Sequence, residues 1–264
     1  MGLPLAIART SLQIMRDTIQ ALLMRELKTR FGAKKLGYFW ALVEPAGQAA
    51  MLSVLFTLRG RNSISGAEVI VFMLCAILPF KFFSKLLPQL SLAVKSNKAL
   101  FAYRQVSPMD PIITRLLIEA VTFVVVYVVI FLILAWLGYE VWPDDLLALL
   151  GISALLAILG AGIGLIMCSA VAHWEDASKV LSMIMMPMFF ISGILFCATM
   201  IPQQYWYLFS WNPIFHVMEL SRDAFFASYT TPIGSWEYVG LCALVSISIG
   251  LVLYQVNRNR FITT

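Results

Sequence analysis

The stretch IITRLLIEAVTFVVVYVVIFLILAWL, Ile112–Leu137, decides the class of this chain. It holds two charges, Arg115 and Glu119, both near its start, and nothing but apolar residues, one Thr and one Tyr after them. About 20 mostly apolar residues in a helix cross a hydrocarbon core. Working outward, five further runs of that kind occur, at Tyr38–Leu58, Val69–Pro88, Leu146–Ala172, Lys179–Met200 and Tyr238–Val256. With 61% hydrophobic and 12% charged residues, the 264-residue chain reads as an all-α polytopic membrane protein. Six transmembrane helices are expected over residues 38–256, after a cytoplasmic segment 1–37 and before a short tail 257–264. The first long run starts too late for a cleavable signal peptide, so none is expected.

The basic residues set the orientation. Seven precede the first span: Arg9, Arg16, Arg25, Lys28, Arg30, Lys34 and Lys35. Lys95, Lys98, Arg104 and Arg115 lie at the second loop, while the third, Gly138–Asp145, has none. Cytoplasmic termini put fourteen Lys and Arg inside and three outside, the side basic residues favour. Lys81 and Lys85 fall within the second span. The net charge of +5 thus describes one membrane interface and not a nucleic-acid footprint. The four cysteines have neither metal-ligand nor redox spacing, and burial as small apolar residues is expected.

Leu12, Met15, Ile19, Leu22, Leu23 and Leu27 recur at helical steps, with polar residues largely opposite, as in a helix lying in the headgroup plane. A topological anchor is the favoured reading. The functional one is a collar in which Arg25, Lys28, Arg30, Lys34 and Lys35 hold an anionic lipid head. The loop SLAVKSNKALFAYRQVSPMDP, Ser91–Pro111, fits a short helix across Leu92–Tyr103 before Pro108 and Pro111. With the basic Lys95, Lys98 and Arg104, its Leu100, Phe101 and Tyr103 are the first candidates for contact with a cytosolic partner.

The segment Ile201–Glu237 is too aromatic for a solvated loop. Short helices dipping back into the outer half of the membrane are expected there, between the fifth and sixth spans. Asn212-Pro213 divides it. His216, Glu219 and Arg222 follow at three-residue spacing, so a Glu219–Arg222 pair is expected. These five residues are candidates for a periplasmic gate; an aromatic belt at the interface is the second reading. In the first span, Tyr38 and Trp40 flank Glu44. Aromatic faces there stack on sugar rings or anchor a helix at an interface, and both readings stand. Gly160, Gly162 and Gly164 lie in an apolar run, which points to close helix packing and not to a nucleotide loop. No catalytic, cofactor or metal residues are expected. The two histidines, His173 and His216, sit in loops, and no span holds paired carboxylates, against an intramembrane enzyme. Glu44 and Glu119 lie toward span ends, against an ion-coupled carrier.

Three stretches, Met24–Pro45 (MRELKTRFGAKKLGYFWALVEP), Ala99–Pro111 (ALFAYRQVSPMDP) and Ile201–Phe226 (IPQQYWYLFSWNPIFHVMELSRDAFF), give the chain a family likeness. It resembles the transmembrane subunits of ABC-2-type exporters, and among them the capsular polysaccharide permeases of the KpsM type. That resemblance implies a homodimer carrying two copies of a cytosolic ATPase, which binds the ATP and Mg. It implies export of a lipid-linked polysaccharide from cytoplasm to periplasm across the bacterial inner membrane, with a periplasmic co-polymerase and an outer-membrane channel as further partners. The coupling helix then falls on Ser91–Tyr103, the gate helices on Gln203–Phe226 and the interfacial helix on Leu12–Lys28. The polymer would slide along weak contacts from Tyr38, Trp40, Glu44, Tyr205, Trp206, Trp211 and Phe215. O-antigen, teichoic acid or drug export is the alternative cargo.

Overall fold

The computed structural model describes residues 10–29, 37–58, 60, 63–64, 66–103 and 105–263. Arg30, Lys34, Lys35 and Arg104 lie outside the described residues, as does the side chain of Tyr38. The chain is an all-α polytopic membrane protein, and the described strands are two-residue pieces: β1 (Ser63–Ile64) pairs with β2 (Ala67–Glu68). The helices are α1 (Ser11–Leu27), α2 (Gly37–Leu58), α3 (Val69–Ser91), α4 (Met109–Trp136), α5 (Leu146–His173), α6 (Ala177–Ile191), α7 (Pro213–Phe225) and α8 (Trp236–Thr263).

Five of these, α2, α3, α4, α5 and α8, are long and apolar enough to cross a membrane. The fifth apolar run behaves differently. Its helix α6 has 15 residues, which span about 22 Å at 1.5 Å per residue. Ser192 and Gly193 then turn the chain, with Gly193 at φ 73°. The remainder of the run is irregular as far as a short 3-10 turn, Ala198–Met200. Two other boundaries also move. Pro111 does not stop a helix, because it falls in the first turn of α4, where its missing N–H costs nothing. The expected tail at residues 257–264 continues α8 as far as Thr263.

α3 is the centre of the bundle and the most buried span. Among its neighbours, α5 reaches it through small residues. A methyl group on Gly160 or Gly164 would come within 2.7 Å or 2.6 Å of Leu86 or Leu90 of α3. On the other side of α5, a methyl on Gly162 would come within 2.5 Å of the backbone at Ser246 and Ile247 in α8. Gly250 of α8 answers it, its Cβ position lying 2.8 Å from the Gly162 carbonyl. Small residues let two backbones approach, which lipid-embedded helices need because solvent does not drive them together.

This packing makes a controlled comparison. Gly162→Ala is expected to cost about 1–3 kcal/mol, since the obstructing atoms are backbone and cannot swing away. Gly47→Ala, where nothing lies within 4 Å, should leave stability unchanged or slightly higher. Thermal unfolding of the two variants in detergent checks the difference.

Candidate functional site

Three polar constructions stand out in a largely apolar bundle. The first is a buried hub on α7. Asn212 caps the helix, its Oδ1 accepting from Ile214 N at 3.0 Å, and Pro213 follows at the first helical position. Asn212 Nδ2 also donates to Ser192 Oγ at 3.2 Å. His216 Nε2 donates to the Ser210 carbonyl at 2.7 Å, while its Nδ1 accepts from Ser235 N at 3.2 Å. Those partners require the neutral ring with the proton on Nε2.

Glu219 and Arg222 lie one turn apart, both completely buried, and pair at 3.2 Å. Arg222 also donates to the carbonyls of Ile194 and Phe196 at 3.1 and 3.0 Å, and lies 4.4 Å from the centre of the Phe72 ring of α3. The Glu219 carboxylate accepts from Tyr229 Oη at 2.6 Å and Thr231 Oγ1 at 3.1 Å. Burial, and then the Glu219 charge, push the Tyr229 phenol well above its ordinary range.

The second construction ties α1 to the loop after α3. That loop forms a 3-10 helix, Lys95–Ala102. Arg115 of α4 reaches three elements at once. Its Nε pairs with Glu26 of α1 at 3.2 Å, Nη1 donates to the Gln89 carbonyl at 2.7 Å, and Nη2 donates to Ser96 Oγ at 2.6 Å. Arg25 of α1 bonds to Asn97 of the 3-10 helix. A cleft of about 760 Å³ opens alongside, with Asp17 and Arg25 on one wall and Leu100 and Tyr103 on the other.

The third lies between α2 and α3. Glu44 meets Lys81 Nζ at 2.5 Å and Lys85 Nζ at 3.7 Å, and all three side chains stay partly exposed.

Set beside the expectations from sequence, the aromatic residues divide. Trp40, Tyr205 and Trp211 are exposed. Trp206 is half-buried, its Nε1 donating to the Ile201 carbonyl. Phe215 is not available to line a path: it is fully buried against Phe196 and Phe209, below Gly193. Asn212, His216, Glu219 and Arg222 are likewise interior groups, so α7 holds its neighbours through them and does not present them to a ligand. In the loop after α3, Phe101 is buried and Tyr103 is 66% exposed, so of the residues expected to meet a cytosolic partner Tyr103 and Lys98 are on the surface and Phe101 is not. Lys95 pairs with Glu175 at 2.9 Å. Lys28 is exposed at the end of α1. Asp176 makes no side-chain cap for α6; it pairs with Lys179 instead. Among the described residues, no cluster of His, Cys, Asp or Glu could hold a metal ion.

Apolar helices tied to one another by a few buried polar groups make a membrane-embedded bundle. A family profile described as ABC-2 type transporter matches residues 17–226. The chain belongs to the ABC-2 transporter family. The matched region takes in the last part of α1, the 3-10 loop and the whole of α7. The polysialic acid transport protein KpsM of Escherichia coli is 36% identical over 97% of this ABC-2 chain and 100% of its own length. The capsule polysaccharide export inner-membrane protein CtrC of Neisseria meningitidis is 30% identical, over 92% of each chain. BexB of Haemophilus influenzae, also a capsule polysaccharide export inner-membrane protein, is 26% identical over 94% of this chain and 93% of its own.

Removing either partner of the α7 pair leaves an uncompensated charge in an apolar interior. Arg222→Ala and Glu219→Ala are each expected to cost about 3–5 kcal/mol, and the double variant less than the two together. Detergent-solubilised melting curves, compared with Lys98→Ala as a surface control, check this.

Proposed function

We propose that this chain is the membrane-embedded subunit of an ATP-driven exporter of lipid-linked capsular polysaccharide in the bacterial inner membrane. The observation that carries the reading is the end-to-end relationship to KpsM, whose name states polysialic acid transport. Its relationship to CtrC and BexB favours capsule over O-antigen, teichoic acid or drugs as cargo. ATP and Mg belong to a separate ATPase chain, present in two copies on a homodimer of this one. A periplasmic co-polymerase and an outer-membrane channel continue the route. The fourteen-to-three distribution of basic residues supports both termini in the cytoplasm.

Mechanistically, the 3-10 loop is the contact for the ATPase, and Arg115 passes its displacement on. One guanidinium holds α1, the end of α3 and the loop at Ser96, so the loop cannot move without drawing on both helices. At the opposite end, α7 and the segments its polar side chains bind, at Ile194, Phe196, Tyr229 and Thr231, form a single plug. Between the two ends, Trp40 and Glu44 offer an aromatic face and a charge to a passing polymer. Arg25 and Lys28, with Arg30, Lys34 and Lys35, gather acidic headgroups where the lipid anchor would enter.

The reading is tested by capsule staining. Deleting the gene in its native host should abolish surface capsule, and restoring it should bring capsule back; unchanged capsule in the deletion strain would end the proposal. Trp40→Ala should lower surface polymer with normal membrane insertion, and normal capsule would take Trp40 out of the path. Tyr103→Ala should weaken the hold on the ATPase roughly tenfold, about 1.4 kcal/mol at an interface anchor, measured by co-purification. Full retention would place the contact elsewhere.

A further inference from the structure

α1 is fully seated on one side only. Its Leu22 and Glu26 are buried, and polar ties fix that side, Glu26 to Arg115 and Arg25 to Asn97. Leu22 and, on α4, Ile118 are buried, yet neither belongs to the core cluster around α3, so α1 is held from outside the main core. One residue further round, at Leu23 and Leu27, the helix lines a cavity of about 250 Å³. The remaining walls are Ala41 and Leu42 of α2 and the Leu117–Val126 stretch of α4. Among the described residues, Thr122 is the one polar group that lines it. The charged Lys81, Lys85 and Glu119 line a separate, smaller cavity behind the shared wall of Ala41, Thr122 and Val126.

So apolar a hollow gives water too few partners to hold it, and left empty it forfeits contacts that Leu23 and Leu27 would otherwise make. What fills it follows from where it opens. Val121 and Val125 on its wall are exposed, and the same stripe continues through Val128 and Leu132, the face that α4 turns to hydrocarbon. At the other end, Leu27 is followed by the exposed Lys28, while the neighbouring carboxylate of Glu26 is taken up by Arg115. An apolar slot open to hydrocarbon, with an ammonium group at its surface end, matches an acyl chain below its phosphate. We propose that this cavity seats one acyl chain of a resident bilayer glycerophospholipid, with the phosphate at Lys28. The inference needs the membrane-embedded bundle and not the exporter reading, since it holds whatever the cargo. The chain completes the apolar half of the seat under α1. It thereby steadies the Glu26 side of Arg115, the residue that joins α1, the end of α3 and the 3-10 loop.

The test is photolabelling in proteoliposomes with a phosphatidylethanolamine that carries a diazirine midway along one acyl chain. Labelled residues are mapped by mass spectrometry. The wild-type chain should be labelled at Leu23 and Leu27 as well as on the open face at Leu132. Ala41→Phe with Val125→Phe fills the cavity and should lower labelling of α1 about tenfold, as expected when several methylenes lose their site, with Leu132 unchanged. Val124→Phe, exposed on the same helix and outside the cavity, should change neither. Lys28→Glu should lower labelling of α1 about fivefold, the scale of one basic residue at a charged membrane surface. That position is exposed, so this variant carries the test if the filled one fails to insert. Native mass spectrometry of the purified wild type should show a retained phospholipid that Lys28→Glu and the filled variant lack.

Label at Leu132 with none on α1 would mean that a second copy or the cavity's own walls close the site, and would overturn the proposal. Labelling of α1 that survives both the filling pair and Lys28→Glu would come from lipid brushing the surface, and would also overturn it. So would a purified chain that retains no phospholipid. Displacement of the label by a polyprenyl phosphate but not by excess unlabelled phosphatidylethanolamine would make the cavity a site for a cargo's anchor, equally against a resident lipid. Capsule staining bears on the exporter reading alone, so the two readings fail separately.

Discussion

The Arg222 guanidinium is the interaction on which the end of the molecule around α7 depends. A charge in so apolar a setting is costly unless it is paired, and Arg222 meets Glu219, two carbonyls and the Phe72 ring, its Nε being left without a hydrogen-bond partner. Those partners belong to different parts of the chain. The carbonyls come from the irregular segment that follows the shortened α6, Phe72 from the central α3, and through Glu219 the loop at Tyr229 and Thr231 is drawn in as well. The loop between α4 and α5 joins by backbone bonds from Asp144 and Asp145 to the end of α7. A segment with too little helix to cross the membrane is thereby fixed in place by polar bonds that the protein interior makes stronger.

Charge is used in three distinct ways along the chain. In α7 it is sealed and structural. At Arg115 it is nearly sealed but joins elements that would have to move relative to each other in a transport cycle. Between α2 and α3 it is left open. On the proposed reading, the gradient from sealed to open matches three tasks of an exporter: to hold, to transmit and to touch the cargo. The surrounding apolar packing is more uniform, resting on α3 and on the close approach that Gly160, Gly162 and Gly164 allow between α3, α5 and α8.

Much of this was legible in the sequence, wherever the signal is local. Length and hydropathy mark five spans well, because crossing a bilayer demands an unbroken apolar run. The three-residue step from Glu219 to Arg222 announced their pairing, and three alternating small residues announced the helix contacts of α5. Burial within a loop was not legible. Phe101 and Tyr103 look equivalent as aromatics, and only the chain's path after α3 turns one inward and the other out. Phe215 was read as a lining residue because its stretch is aromatic, yet Gly193, more than twenty residues away, opens the space that swallows it. The fifth run looked continuous because hydropathy does not register the positive φ at Gly193. The ties from Arg115 to Glu26 and from Glu44 to Lys81 and Lys85 join distant segments and leave no periodic trace. The i, i+4 lysines inside an apolar run were the one hint of the second.

The most direct measurement is ATP-dependent movement of labelled lipid-linked capsular polysaccharide into sealed vesicles holding this chain and its ATPase partner. Accumulation that needs both chains and hydrolysable ATP is the predicted result. A stable complex that hydrolyses ATP yet leaves the polymer outside, with its lipid anchor intact, would contradict the exporter reading.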